Sequence, residues 1–115
     1  MNDSIRPSLY DAYHEIQPLV EPTDSATEEV DVVGPICESG DFFAKNRVLP
    51  VVAEGDCLVL RSAGAYGFSM ASNYNSRQKC AEVLVSGPRW HVVRQRESLA
   101  DLVRGEVVPK ELEIP

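Results

Sequence analysis

A mainly β domain, built as a small barrel or sandwich with a few short helices, is the fold this sequence predicts. Short β-branched runs recur along the chain and are separated by turns rich in Gly, Pro, Asp and Ser. Two of them, Ala81 to Ser86 and Trp90 to Gln95, flank Gly87-Pro88 and read as a hairpin with a tight turn. At 115 residues the chain holds one domain, 1–115, with a modest core, and many short strands at that length suit a barrel or sandwich.

The elements follow in order. Ile5, Leu9 and Ala12 or Tyr13 recur at helical spacing, so Ile5 to Tyr13 is predicted as one or two turns of helix, with Pro7 tolerated in the first. His14 to Val20 reads as a short strand that Pro18 confines to a sheet edge. Glu21 to Glu29 is polar and contains Pro, Ser and Thr, so it is predicted as a mobile loop. Val30 to Ile36 is apolar and β-branched apart from Asp31 and Gly34-Pro35, and is predicted as a strand that stops abruptly. Phe42 to Arg47 is predicted as a helical turn ahead of Val48-Leu49-Pro50. Glu54-Gly55-Asp56 is a turn before a strand at Cys57 to Arg61, and Ser62 to Gly67 is small and glycine-rich. Ser98 with Asp101 forms a capping-box pattern before Leu99, Leu102 and Val103, which predicts a short helix running to Gly105.

The composition excludes several classes of function. A net charge of −7 argues against a phosphate-backbone partner, since nucleic-acid binders present a basic face. No apolar run approaches the length that spans a bilayer, and Met1-Asn2-Asp3 opens no signal peptide. Cys37, Cys57 and Cys80 are odd in number and lack CxxC spacing, so neither a disulfide framework nor a metal site is expected, and a reducing, cytoplasmic location fits best.

Three segments could carry chemistry. Arg6 and Tyr10 stand four apart, a spacing that puts guanidinium and phenol on one helix face, where the planar fork of Arg could grip a carboxylate. The same pattern suits a solvated Arg above a half-buried Tyr. Cys37 lies in Gly34-Pro35-Ile36-Cys37-Glu38-Ser39-Gly40-Asp41, on a polar turn closing an apolar run. It could be a nucleophile, a proton donor or a small buried hydrophobe. His14 and His91 both fall in apparent strands, so no Cys-His pair is evident and proton delivery is the better assignment. Tyr66 sits between Gly64 and Gly67 just past a strand, where glycines allow a backbone to approach a ligand, although a core tyrosine in a turn would look the same. Cys57 and Cys80 read as structural.

Together these segments resemble diaminopimelate decarboxylases, pyridoxal-phosphate enzymes of the alanine-racemase-like fold group. The chain carries the family's RPxLYxAxH pattern at Arg6 to His14, CESGD at Cys37 to Asp41, AGAYG at Ala63 to Gly67 and SNYN at Ser72 to Asn75. The resemblance runs from Met1 to about Gly105 and departs at Arg77 to Ala81, where the family has prolines that shape entry to a strand. It implies that Arg6 and Tyr10 bind a substrate carboxylate and that Cys37 reprotonates the α-carbon after CO2 leaves. It also implies that Glu38 binds the ammonium at the far end of the substrate, and that Tyr66 contacts substrate and cofactor. Asn73-Tyr74-Asn75 is implied to support that site.

The resemblance places the cofactor lysine in a preceding (β/α)8 barrel. Lys45, Lys79 and Lys110 match no such lysine, so the chain looks like the carboxy-terminal portion of an enzyme, inactive alone. The implied partners are that barrel and a second subunit in a two-fold dimer with shared active sites. The implied reaction is conversion of meso-diaminopimelate to L-lysine. Relatives acting on ornithine or arginine usually carry Asp after the Cys, so Glu38 favours a substrate with a second amino-acid end. A free-standing regulatory module that pairs with a decarboxylase is the alternative of a different class.

Overall fold

The computed structural model describes residues 7, 11–23 and 26–112. The chain forms two compact units, Met1–Ser72 and Asn73–Pro115. Six strands order them: β1 (Ile16–Pro18), β2 (Thr27–Val33), β3 (Phe42–Pro50), β4 (Leu58–Leu60), β5 (Glu82–Ser86) and β6 (Arg89–Arg94). Two four-residue helices, α1 (Gly64–Gly67) and α2 (Leu99–Leu102), and 3-10 turns at Tyr74–Ser76 and Lys110–Leu112 complete the described elements. None of these helices is long and apolar enough to cross a membrane.

The mainly β expectation holds, but the strands pair as three antiparallel ribbons, β1-β4, β2-β3 and β5-β6, and no closed barrel forms among the described residues. With β1 and β4 only three residues long, neither can carry a ladder around a barrel circumference.

In the first unit, β1 and β4 pair from Ile16↔Leu60 to Pro18↔Leu58. Pro18 lacks an amide, which suits a ribbon with both edges unpaired, as the edge assignment required. The β2-β3 hairpin is longer and irregular. Val30 faces Arg47, but Val32 faces Ala44, so one intervening residue on β2 opposes two on β3. The extra residue is a bulge in which Asn46 takes φ 50 and its amide donates to the Asp31 carboxylate at 2.8 Å. This bulge breaks the two-residue period of β3, so that Ala44 and Leu49 both turn inward although an odd number of positions separates them. They bury with Ile16 against Val30, Val32, Phe43, Leu58 and Leu60.

Two assignments change here. Phe42 to Arg47 is strand, not a helical turn, because β2 captures its backbone. β2 itself begins at Thr27, inside the predicted loop, and ends at Val33, before Gly34-Pro35. The predicted helix over Ile5 to Tyr13 lies mostly outside the described residues. Of its described residues, Asp11 takes φ 50 and its amide donates to the Pro7 carbonyl at 2.9 Å.

In the second unit the predicted hairpin is present as β5-β6. Gly87 supplies φ 57 at the first position of its two-residue turn, where a II′ geometry places Gly. Val83 pairs with Val92 and Val85 with Trp90, which puts four apolar side chains on one face, all of them exposed. The capping box is also present. Both the amide and the hydroxyl of Ser98 donate to Asp101 Oδ2, at 2.7 and 2.8 Å, but α2 ends at Leu102 rather than at Gly105.

Candidate functional site

The turn from Gly34 to Asp41 closes the β2-β3 hairpin and presents Cys37 and Glu38 at the surface. Its frame is a set of local hydrogen bonds. The Gly34 amide donates to the Asp41 carbonyl at 2.8 Å, continuing the ladder one step past Val33↔Phe42. The Ile36 amide donates to Asp41 Oδ2 at 2.8 Å, and the Glu38 amide to the Ile36 carbonyl at 2.8 Å. The buried Gly40 amide donates to Glu38 Oε1 at 2.8 Å, which orients that carboxylate. Gly34 is needed for close approach: a Cβ there would stand 2.1 Å from Asp41 Oδ2. Cys37 is therefore exposed on a turn whose backbone is held from both sides, and the reading of it as a small buried hydrophobe is set aside.

Tyr66 stands on α1, a different element of the same unit, with 60% of its surface exposed. Within the glycine-rich Ser62 to Gly67 only Gly64–Gly67 is helical, and Ser62 takes a left-handed φ of 55 ahead of it. Arg6 and Tyr10 lie outside the described residues. What the structure brings together is thus Cys37 and Glu38 on one turn.

In the second unit, Asn73-Tyr74-Asn75 enters a 3-10 turn in which Asn75 and Ser76 both take positive φ, 54 and 55. Glu97 clamps this segment. Its Oε2 accepts from Asn73 Nδ2 at 2.6 Å and from the Lys79 amide at 2.8 Å, while its carbonyl accepts from Gln78 Nε2 at 2.6 Å. The Lys79 amide bond above all, with the Asn73 bond adding, holds the Glu97 carboxyl below its ordinary 4.5. A carboxyl lowered in the folded state supports the clamp fully above pH 4.5 and withdraws it as pH falls through the lowered value. The side-chain amide of Asn73 is expected to shift in an NMR titration only below that point. An Asn73 signal unmoved down to acid unfolding would show that the clamp does not form.

Two contributions were not read from the sequence. Asp41 and Gly34 frame the Cys37 turn; the Gly-Asp pair at its end was the available signal. Arg47 holds the segment entering β1: its Nη1 donates to the His14 carbonyl at 2.9 Å, and its guanidinium lies 4.2 Å from the Tyr13 ring centroid. An open recess of about 470 Å³ is walled by Leu19, Val20, Val51, Val52, Asp56 and Cys57, and none of the described site candidates, Cys37, Glu38 or Tyr66, lines it.

The described residues thus form a mostly β fold with an exposed thiol and a backbone-held carboxylate on one hairpin turn. Residues 1–64 match the family described as "Pyridoxal-dependent decarboxylase, C-terminal sheet domain", and the chain belongs to that family. Within it, the chain is 58% identical over 106 residues to the diaminopimelate decarboxylase of Pseudomonas aeruginosa, covering 92% of this chain and 25% of that protein. It is 50% identical over 111 residues to the diaminopimelate decarboxylase of Methanothermobacter thermautotrophicus, covering 96% and 26%. The crystal structure of diaminopimelate decarboxylase from M. jannaschii in co-complex with L-lysine superposes with a TM-score of 0.85 at 41% identity, covering 94% of this chain and 24% of that one. The chain spans about a quarter of the length of the curated relatives it matches.

The family is pyridoxal-dependent, and the chain has three lysines. Lys45 is exposed with its Nζ 4.5 Å from the Phe42 ring centroid, Lys79 belongs to the Glu97-clamped segment, and Lys110 is exposed in the last 3-10 turn. None of the three lines the recess.

Proposed function

We propose that residues 1–115 act as the carboxy-terminal domain of a diaminopimelate decarboxylase, completing the active site of a barrel domain that carries pyridoxal phosphate. The reaction is loss of CO2 from meso-2,6-diaminopimelate to give L-lysine, in the cytoplasm. The observation that carries this reading is the Cys37-Glu38 turn, preformed and exposed in a chain without a cofactor lysine. Strong likeness to diaminopimelate decarboxylases along almost the whole chain supports it.

In this reading Sγ of Cys37 gives its proton to the substrate carbon that has lost CO2, and the thiolate is reprotonated from solvent. A thiol suits this task because it is acidic enough to donate near neutral pH. Glu38 receives the ammonium of the far amino-acid end. Its carboxylate is already oriented by the Gly40 amide, so little ordering is left to binding. Arg6 and Tyr10 bind a carboxylate, and Tyr66 offers its phenol to substrate and cofactor. An exposed thiol must be covered to exclude water, which suits a site shared between two subunits of a dimer.

The test is lysine formation from meso-diaminopimelate by this chain, the PLP-bearing barrel and their mixture. Activity in the mixture alone is the expected result. Association without activity points to a regulatory module, and a preference for ornithine or arginine overturns the substrate assignment.

A further inference from the structure

We infer that the apolar face of the β5-β6 hairpin is a surface on which this chain docks the PLP-bearing amino-terminal portion of the decarboxylase, an inference that rests on the function proposed above. The hairpin is two-sided. Val83, Val85, Trp90 and Val92 form one face, and each of them is exposed. The other face carries the opposed pairs Glu82 with Arg94, Leu84 with His91 and Ser86 with Arg89, the first of them an ion pair at 2.5 Å. Alternation of this kind belongs to a sheet with one face in water and one face covered. The ribbon that presents the apolar face is anchored at its base. There the Glu97 amide donates to the Lys79 carbonyl at 3.2 Å, three residues beyond Glu82↔Arg94 on each strand. Two strands alone are marginally stable in water, so a surface laid against the apolar side stabilises the ribbon as well as the contact.

Length, size and charge identify the occupant. The match to the Methanothermobacter decarboxylase runs over 111 residues, so it takes in the hairpin, and it amounts to 26% of that protein. In that relative the matching segment therefore belongs to a chain nearly four times as long. Four side chains offer a few hundred Å² of apolar surface, short of the roughly 800 Å² per partner that a specific free-standing complex buries. Such a face serves as one part of a broader contact, not as the whole of a dimer interface. A second copy seated here is also opposed by charge, because two chains of net charge −7 repel each other. The amino-terminal portion meets neither objection. The Cys37-Glu38 turn already requires it for the proposed reaction, and the hairpin face adds apolar area to that association.

Hydroxyl-radical footprinting, read residue by residue by mass spectrometry, tests the face on the unmodified protein. The chain is labelled alone at two concentrations about a hundredfold apart, and again when mixed with the separately purified PLP-bearing portion. Lysine formation from meso-diaminopimelate is followed in the same mixture. Trp90 is expected to oxidise at the same rate at both concentrations and about fivefold more slowly in the mixture, while Leu84 on the opposite face changes by less than about twofold. Slowing in the chain alone as its concentration rises would give the face to a second copy and overturn the inference. Trp90 as reactive in the mixture as alone would overturn it too, and if that mixture forms lysine the proposed function stands without it. Protection of Trp90 in a mixture that forms no lysine upholds the docking face and overturns the proposed function. Val85→Lys places a charge on the face and is expected to weaken association by about tenfold or more, against less than about threefold for Leu84→Lys. Equal effects from the two substitutions, or none from Val85→Lys, would overturn the inference. Should Val85→Lys not fold, the footprint of the unmodified chain decides.

Discussion

Replacing Cys37 by Ala in a full-length enzyme that carries this segment is expected to lower kcat by roughly a hundredfold to ten-thousandfold, with KM within a few-fold of the parent. The range is the usual contribution of a positioned general acid. KM is spared because the thiol is assigned to a step that follows binding. Stability is expected to stay within about 0.5 kcal/mol, since Cys37 is exposed and the turn is framed by Gly34, Ile36, Glu38, Gly40 and Asp41 rather than by its side chain. Cys37→Ser separates acidity from size: a hydroxyl fits the same space and is a far weaker acid, so it should resemble Ala in rate. Single-turnover measurement would place the lost rate after CO2 release. A variant whose KM rises while kcat holds would make Cys37 a binding group and end the donor assignment.

Gly34→Ala is expected to be the most damaging substitution of the turn that leaves every proposed chemical group in place. A Cβ at this position meets Asp41 Oδ2 at 2.1 Å, Cγ at 2.5 Å and Oδ1 at 2.7 Å, so the carboxylate must leave. It cannot leave freely, because Oδ2 holds the Ile36 amide at 2.8 Å and the Asp41 carbonyl holds the Gly34 amide at 2.8 Å. Losing a hydrogen bond to a charged acceptor costs about 1.5–3 kcal/mol, and forcing atoms into a filled space costs about 1–3 kcal/mol more. Because Cys37 follows Ile36 directly, kcat should fall alongside stability. The double variant Gly34→Ala with Asp41→Ala identifies the cause. With the carboxylate gone the clash is gone, so the pair should be more stable in denaturant than the sum of the single effects. Strict additivity would mean that Gly34 acts through backbone freedom instead.

The parts of this fold that were readable in the sequence are those set by local chemistry. Gly87-Pro88 between β-branched runs gives the β5-β6 hairpin, and Ser98 with Asp101 gives the cap of α2, because each needs only neighbours in the chain. The parts that were not readable depend on pairing across the chain. Lys45-Asn46-Arg47 interrupts any two-residue period, so β3 looks like a helical turn until Asp31 is seen to hold the Asn46 amide. Thr27-Glu28-Glu29 looks like loop because two adjacent acids break any apolar alternation, yet it pairs with Val48-Leu49-Pro50. The site divides the same way. The surface position of Cys37 and Glu38, both proposed site residues, was legible from the polar turn that carries them. Gly34 against Asp41 was not, since one residue's missing Cβ accommodates another's carboxylate, and Arg47 was not, since a bulge decides which way it faces.

The exposed apolar face of the β5-β6 hairpin has an optical consequence. Trp90 is the only tryptophan in the sequence, and it stands on that face beside Val83, Val85 and Val92 with 67% of its surface open. All indole fluorescence of the chain therefore originates at one point, and at the patch whose hydration any covering surface must change. The chain brings its own spectroscopic label to the place where one is most informative, with no dye to attach and no second indole to subtract.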